Sequence, residues 1–412
     1  MISSNQNTIT FKSVPIVNAT MFIEDRVLLN KALLDTATST SIILNANNRN
    51  EAEERLRRSF IGWATAFLTP LVTLPLTNKL AMKHIAKLTK SYFSKDNNLV
   101  KLSNKYLTSA EATKQGIEEF SKKYNFSEIL KNNNNDYEKI RKKLINAKMS
   151  VLAFDFLFTT LLMASAGFIN RYITRKKTGK DGFSAEFNMA NKDVVEKRAE
   201  KFKKTEKLRN NIFIASLLLL TASPLLLRRG LLKDSGKLSE FAKKHASKFD
   251  YNDGIFMKRL PFLLMAIVTD IGLILSSRNQ TEVKDNAVRL SATQAAFFGG
   301  DIIIGSTLAA ISDKLFKTEL LDKNCDKNWI NKIIPPIKHI RDLEGKNKSI
   351  ATGLFWINML ALFGIVGIVI PKMLNKMIKH DVEKDAQTQN KNSAITNMTG
   401  MKQPKMEDFI NK

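Results

Sequence analysis

Six stretches carry almost all of the apolar weight of this chain: 59–78, 149–170, 210–227, 260–277, 290–312 and 349–371. Each is 18 to 23 residues long, and the only ionisable side chains inside them are Asp155, Asp270 and Asp301. At about 1.5 Å of rise per residue even the shortest would reach about 27 Å as a helix, close to the hydrocarbon thickness of a bilayer. A soluble bundle would need six helices apolar on every face, which ordinary globular proteins do not show. The pattern therefore predicts an all-α fold: a polytopic α-helical membrane protein with five or six transmembrane helices plus amphipathic interfacial helices. The segment 349–371 is the cleanest, uncharged throughout and bounded by Lys348 and Lys372. The segment 210–227 is short, and Pro224 removes a backbone donor near its end, so it reads either as a span or as a re-entrant element.

Between the spans the chain keeps some order. Residues 1–58 read as an N-terminal tail with a short amphipathic helix around "DRVLLNKALLD". Residues 79–148 form a polar helical loop or cap. There "TSAE", Thr108 to Glu111, spells a capping box, and Ile117, Phe120 and Tyr124 follow at helical spacing. Met82, Ile85, Leu88 and Tyr92 make a similar stripe just after the first span. Residues 171–209 are a basic loop, and 228–259 a basic amphipathic one. In the latter Leu238, Phe241, Ala242, His245 and Phe249 share a face, with lysines off it. A loop follows at 313–348, and 372–412 reads as a disordered C-terminal tail because apolar periodicity fades there. Comparison of the spans reveals no internal repeat, and an inverted-repeat transporter has only weak support from two Asp-bearing segments.

Charge sharpens the picture. Lysine and arginine outnumber aspartate and glutamate by 65 to 39, a formal net charge of +26. The excess sits between the spans, as in "RYITRKKTGK" and "EKRAEKFKKTEKLR". Near anionic headgroups each such residue contributes about 1 kcal/mol, so the bilayer itself and its anionic lipids are the expected partners. The plainer reading, that lysines solvate loops, has equal standing. Nucleic acid is not expected, because only Phe202 interleaves the longer basic run. Basic residues divide evenly between the two sides of a six-span arrangement. They gather on the N-terminal side if 210–227 re-enters. Glu24, Asp25 and Arg26 interrupt any early apolar run before a cleavage pattern, so no cleavable signal peptide is expected. The expected location is a cell membrane, the cytoplasmic membrane of a bacterium.

Candidate chemistry is sparse. HExxH, GxxxxGK[ST], GxSxG and a strand-borne GxGxxG are all missing from the sequence, so no enzymatic class and no cofactor or metal is implied. His84, His245, His339 and His380 are scattered, and Cys325 stands alone. What stands out is acid within the spans. A carboxylate at the bilayer centre costs on the order of 2.5 to 3.5 kcal/mol on insertion scales, so Asp155, Asp270 and Asp301 must face protein or water. Thr159, Thr160 and Asn358 are hydrogen-bonding candidates for them. Around Asp301, the pairs Ala296/Gly300 and Gly305/Ala309 have the small-xxx-small spacing of close helix packing. The first functional expectation is a non-catalytic membrane scaffold or envelope component whose basic loops contact anionic lipid. The competing one is a small proton- or cation-coupled transporter or channel using Asp270 and Asp301.

Overall fold

Apolar runs with charged ends fold here as long helices. A computed structural model describes residues 14–88, 99–187, 192–252, 256–322 and 333–400, and gives the backbone alone at 14, 192–194, 301, 385–386 and 388–400. The helices are α1 (Val14–Glu24), α2 (Val27–Leu44), α3 (Arg49–Leu68), α4 (Leu74–Leu80), α5 (Ala110–Ser121), α6 (Ser127–Asn132), α7 (Tyr137–Thr178) and α8 (Lys192–Lys203). They continue as α9 (Glu206–Leu232), α10 (Lys237–His245), α11 (Arg259–Leu275), α12 (Gln280–Ala295), α13 (Asp301–Phe316), α14 (Gly345–Phe363) and α15 (Ile370–Gly400). The one sheet among the described residues is a small antiparallel pair, β1 (Tyr251–Asn252) with β2 (Phe256–Met257), in which Tyr251 faces Met257.

Among the described residues five helices are long and apolar enough to cross a membrane: Arg49–Ile85, Tyr137–Thr178, Glu206–Leu232, Gln280–Phe316 and Gly345–Lys384. They contain the apolar segments 59–78, 149–170, 210–227, 290–312 and 349–371. The sixth, 260–277, forms α11, which is only 17 residues long and buries Phe262, Met265, Val268 and Leu273. Three of the long helices pass through π turns, at Thr69–Thr73 and Ala81–Ile85, at Ala296–Gly300 and at Gly364–Val369. Neighbouring donors reach carbonyls in two of these turns. Ser41 Oγ donates to Gly367 O at 2.5 Å, and Arg259 Nη2 donates to Phe297 O and Phe298 O at 3.2 and 2.9 Å.

Several expectations need correcting. The re-entrant alternative for 210–227 has no break to turn on: α9 runs unbroken for 27 residues through Pro224. Proline deprives Leu220 of its usual donor four residues on, and Ser223 Oγ supplies one at 2.7 Å. Residues 14–58, the described part of the expected N-terminal tail 1–58, are not a tail. Over the described part α1, α2 and the start of α3 pack into the bundle, with Leu28 and Leu34 in its core. Lys31 Nζ meets Asp35 Oδ1 at 2.7 Å one turn along, so the buried Lys31 has its charge met by a carboxylate that stays partly exposed. Nor are residues 372–400 disordered, since α15 extends to Gly400. Neither Pro nor Gly occurs between Pro371 and Gly400, and Lys, Met, Glu, Gln and Ala sustain a helix without apolar periodicity. Residues 401–412 and Cys325 lie outside the described residues.

The cap at 79–148 does not fold around a core of its own. Leu102, Leu107, Ile117 and Ile129 share one core with Phe156 of α7 and with Leu227 and Leu231 of α9. Its N-cap is Ser109, not Thr108: Ser109 Oγ accepts from Ala112 N at 3.0 Å. In the preceding stripe Met82 and Leu88 are buried, Ile85 is exposed, and Tyr92 lies outside the described residues. The stripe on α10 divides as well. Ala242 is fully buried against Gly230, whereas Phe241 stands exposed beside His245.

Candidate functional site

Two helix hairpins in this bundle match each other in turn length and at a set of key positions. In the first, α2 ends at Leu44, four residues turn, and α3 begins. In the second, α11 ends at Leu275, four residues turn, and α12 begins. Pairing Asn48 with Asn279 also pairs Thr38 with Thr269, Ile43–Leu44 with Ile274–Leu275, Glu51 with Glu282, Glu54 with Asp285 and Arg58 with Arg289. The bonding matches too. Asn48 and Asn279 each cap their helix, accepting from Glu51 N at 3.0 Å and Glu282 N at 2.9 Å. Each glutamate reaches back to the residue before the cap, Glu51 to Asn47 N at 2.6 Å and Glu282 to Arg278 N at 2.7 Å. Both are the same variant of a capping box, in which the glutamate takes the N–H of the residue before the cap instead of the cap's own. A single 3-10 turn, Ser184–Glu186, then joins them. Asn48 Nδ2 donates to Ser184 O at 2.6 Å, and Asn279 Nδ2 donates to Glu186 Oε2 at 3.1 Å. Both hairpin turns therefore lie at one end of the bundle, and the hairpins are parallel, not inverted.

An ionic network joins the hairpins. Arg278 bridges to Glu54 through two hydrogen bonds of 2.8 Å and also holds Glu282 at 2.9 Å. Ser184 Oγ donates to Glu54 at 2.5 Å, and Thr174 Oγ1 donates to the same carboxylate. Nearby, Glu51 pairs with Arg55, Arg289 with Asp285 at 2.5 Å, and Arg58 Nη1 donates to Asn286 Oδ1 at 2.7 Å. Burying ions costs several kcal/mol per ion unless each is paired and hydrogen-bonded, so such a cluster needs this density of partners. Satisfaction is nonetheless incomplete. Arg58 Nε and Arg289 Nη1 are buried donors with no hydrogen-bond acceptor among the described residues, and Gln294 Oε1 and Thr269 Oγ1 lack a hydrogen bond too.

All four of these groups line one cavity of about 490 Å3, enclosed by α2, α3, α7, α11 and α12. One end is the charged cluster just described. The remainder is largely apolar, walled by Ala66, Phe67, Met163, Phe262 and Met265. Leu56, Phe60 and Trp63 of α3 stand at its edge and are at least half exposed, so the cavity opens laterally between α2 and α3.

The acids anticipated within the spans divide. Asp155 lies in the cavity wall and is fully engaged. It accepts from Thr159 Oγ1 at 2.8 Å and from the Tyr251 hydroxyl at 2.9 Å. Asp270 is also in the wall and accepts from Gln294 Nε2 at 2.8 Å, with the Lys31/Asp35 pair lining the same space. The Asp301 side chain lies outside the described residues, and with it the pairing of Asp270 with Asp301. Thr160 is buried, and Asn358 is buried on α14 beside Gly305, whose missing Cβ would sit 3.6 Å from Asn358 Nδ2. A Cβ on Gly300 would press Leu362 at 3.2 Å, and Ala296 and Ala309 are buried in the two main clusters of the core. These four small residues thus sit where α12 and α13 pack on other helices.

What sequence reasoning missed is the charged cluster itself. Its signal is the spelling N-x-x-E-x-x-[ED]-x-x-x-R, present at Asn48–Arg58 and again at Asn279–Arg289. Both copies lie just outside the apolar segments, where polar residues pass for solvated flanks. No family model, no curated protein and no solved structure matches this chain.

Proposed function

We propose that this membrane protein is a small transporter whose ligand occupies the cavity between the two hairpins. One observation carries the reading: a bundle of membrane-length helices keeps a cavity of about 490 Å3 and surrounds one end of it with ion pairs. A scaffold gains nothing from this, because close-packed apolar side chains would be more stable than a void lined with buried ions. A transport site needs both, since space admits a ligand and polar groups orient it. Parallel repeats whose shared site lies between them are one of the architectures on which transporters are built. Asp270, facing the cavity with an amide partner, is the acid we assign to coupling. The same reading locates the protein in a cytoplasmic membrane, where a proton gradient is available.

The test uses proteoliposomes loaded with pyranine. An imposed pH gradient should collapse faster than in empty vesicles, and Asp270→Asn should slow that collapse several-fold while leaving the unfolding midpoint within a few degrees. A rate equal to that of empty vesicles overturns the reading and returns the first expectation, a scaffold on anionic lipid.

A further inference from the structure

The geometry points to a phospholipid as the occupant of the cavity, its phosphate held between Arg58 and Arg289 and its acyl chains lying along α3. This deepens the transport reading by naming a ligand class for the same cavity.

The two arginines are equivalent positions of the matched hairpins, and each stands one residue before an apolar stretch begins, at Ser59 and at Leu290. That is the depth at which a bilayer changes from hydrocarbon to headgroup. Both bring unspent donors to the cavity, Nε of Arg58 and Nη1 of Arg289. The Arg289 side chain is 9% exposed, so water does not satisfy it from outside. Neighbouring charges are already committed. Glu51 is taken by Arg55, Glu54 and Glu282 by Arg278, and Asp285 by Arg289 through Nη2, which leaves Arg289 its Nη1, whereas Arg58 has only the neutral Asn286 as a hydrogen-bond partner. Buried guanidinium donors lacking acceptors fit an oxyanion, and phosphate oxygens suit their fork geometry.

The rest of the ligand follows from the walls. Beyond the arginines the cavity is lined by Phe60, Trp63, Phe67, Phe262 and Met265, with no cation available for a second acidic group until Lys31, which Asp35 holds. A small hydrophilic anion would leave that length unfilled. The opening between α2 and α3 is rimmed by the exposed apolar side chains of Leu56, Phe60 and Trp63, a rim that suits entry of an amphiphile from within the membrane.

Trp63 lines the site and reports its occupant. Full-length protein carrying Trp329→Phe and Trp356→Phe keeps this one of its three tryptophans. In maltoside micelles, dibrominated phosphatidylglycerol should quench Trp63 saturably. Dibrominated diacylglycerol, which has the same chains and no phosphate, should require about ten-fold higher mole fraction, the equivalent of one lost charged hydrogen bond. Arg58→Gln with Arg289→Gln should remove the difference. Equal quenching by the two lipids in the protein with both arginines intact overturns the proposal, and that comparison needs no folded arginine variant. Relief of the quenching by millimolar inorganic phosphate also overturns it, since the site would then belong to a free anion. Because quenching measures binding at equilibrium, selective quenching without proton flux would leave the lipid site standing and remove transport.

Discussion

Arg278, at the turn between α11 and α12, grips Glu54 of α3 end to end, Nη1 to Oε1 and Nη2 to Oε2, both at 2.8 Å. The bond is the principal tie between the two hairpins, and both side chains are almost wholly buried. Removing one member leaves the other charged with little water to replace it. Arg278→Met should therefore lower stability by about 3–5 kcal/mol. The double variant Arg278→Met with Glu54→Met should recover a large part of that loss, although Glu282 keeps it incomplete. Reversible unfolding in mixed micelles reads both. A single variant as stable as the parent would mean that the pair is open to water.

The shared 3-10 turn fixes which residues lie on the same side of the membrane. In a Cys325→Ser background, Arg49→Cys at the start of α3 and Lys284→Cys in the first turns of α12 should react with an impermeant maleimide from one and the same side. Lys122→Cys, in the cap at the far end of α7, should react only from the other. The 42 residues of α7 separate the cap from the turns by about 60 Å. Labelling of the Arg49 and Lys284 positions from opposite faces would establish inverted hairpins instead.

Stability should depend on acid at one identifiable site outside the spans. Burial raises the Asp181 carboxyl, but two hydrogen bonds from Arg171, at 2.9 and 3.2 Å, outweigh it and hold the group below its ordinary 3.8. A depressed acid stabilises the fold at every pH above its unfolded value, and the contribution fades as pH falls through the folded one. Asp181→Asn lacks the contribution throughout. The midpoint difference between parent and variant should be present at pH 7, begin to shrink near pH 4 and close at lower pH. A difference constant down to pH 2 would show that the two hydrogen bonds do not act through charge.

Much of this fold was legible because membrane helices announce themselves by length. The run from Ser349 to Pro371 could be read at sight, and so could the need for partners at Asp155 and Asp270. The elements that escaped are those whose charges cancel only in three dimensions. Lys31 and Asp35 interrupt the apolar run of α2, and only their contact one turn apart shows how Lys31 can lie on the buried face beside Leu28 and Leu34. Pro224 suggested a break, and the remedy, the hydroxyl of Ser223, is one residue away but is invisible without the helix. The matched hairpins escaped because the apolar spans were compared with one another. The information lay in the charged approach to two of them, where a cap, two acids and an arginine recur at fixed spacing.

The π turns carry a consequence of a different kind, for the phase of the helices. A π turn holds one residue more than the α-helix it interrupts, so every side chain beyond it is turned by about 100° from where an uninterrupted helix would point it. Gly364–Val369 thus sets the azimuth of all of α15, and Ala296–Gly300 that of α13. Loss of a single residue within either turn would relax the backbone to a regular helix and leave the downstream stripe on its packed neighbours, whereas the same loss elsewhere in these helices would swing that stripe by about 100° toward lipid. Away from the π turns a deletion acts as a rotation, so these turns are the places where the helices can lose a residue and keep their faces.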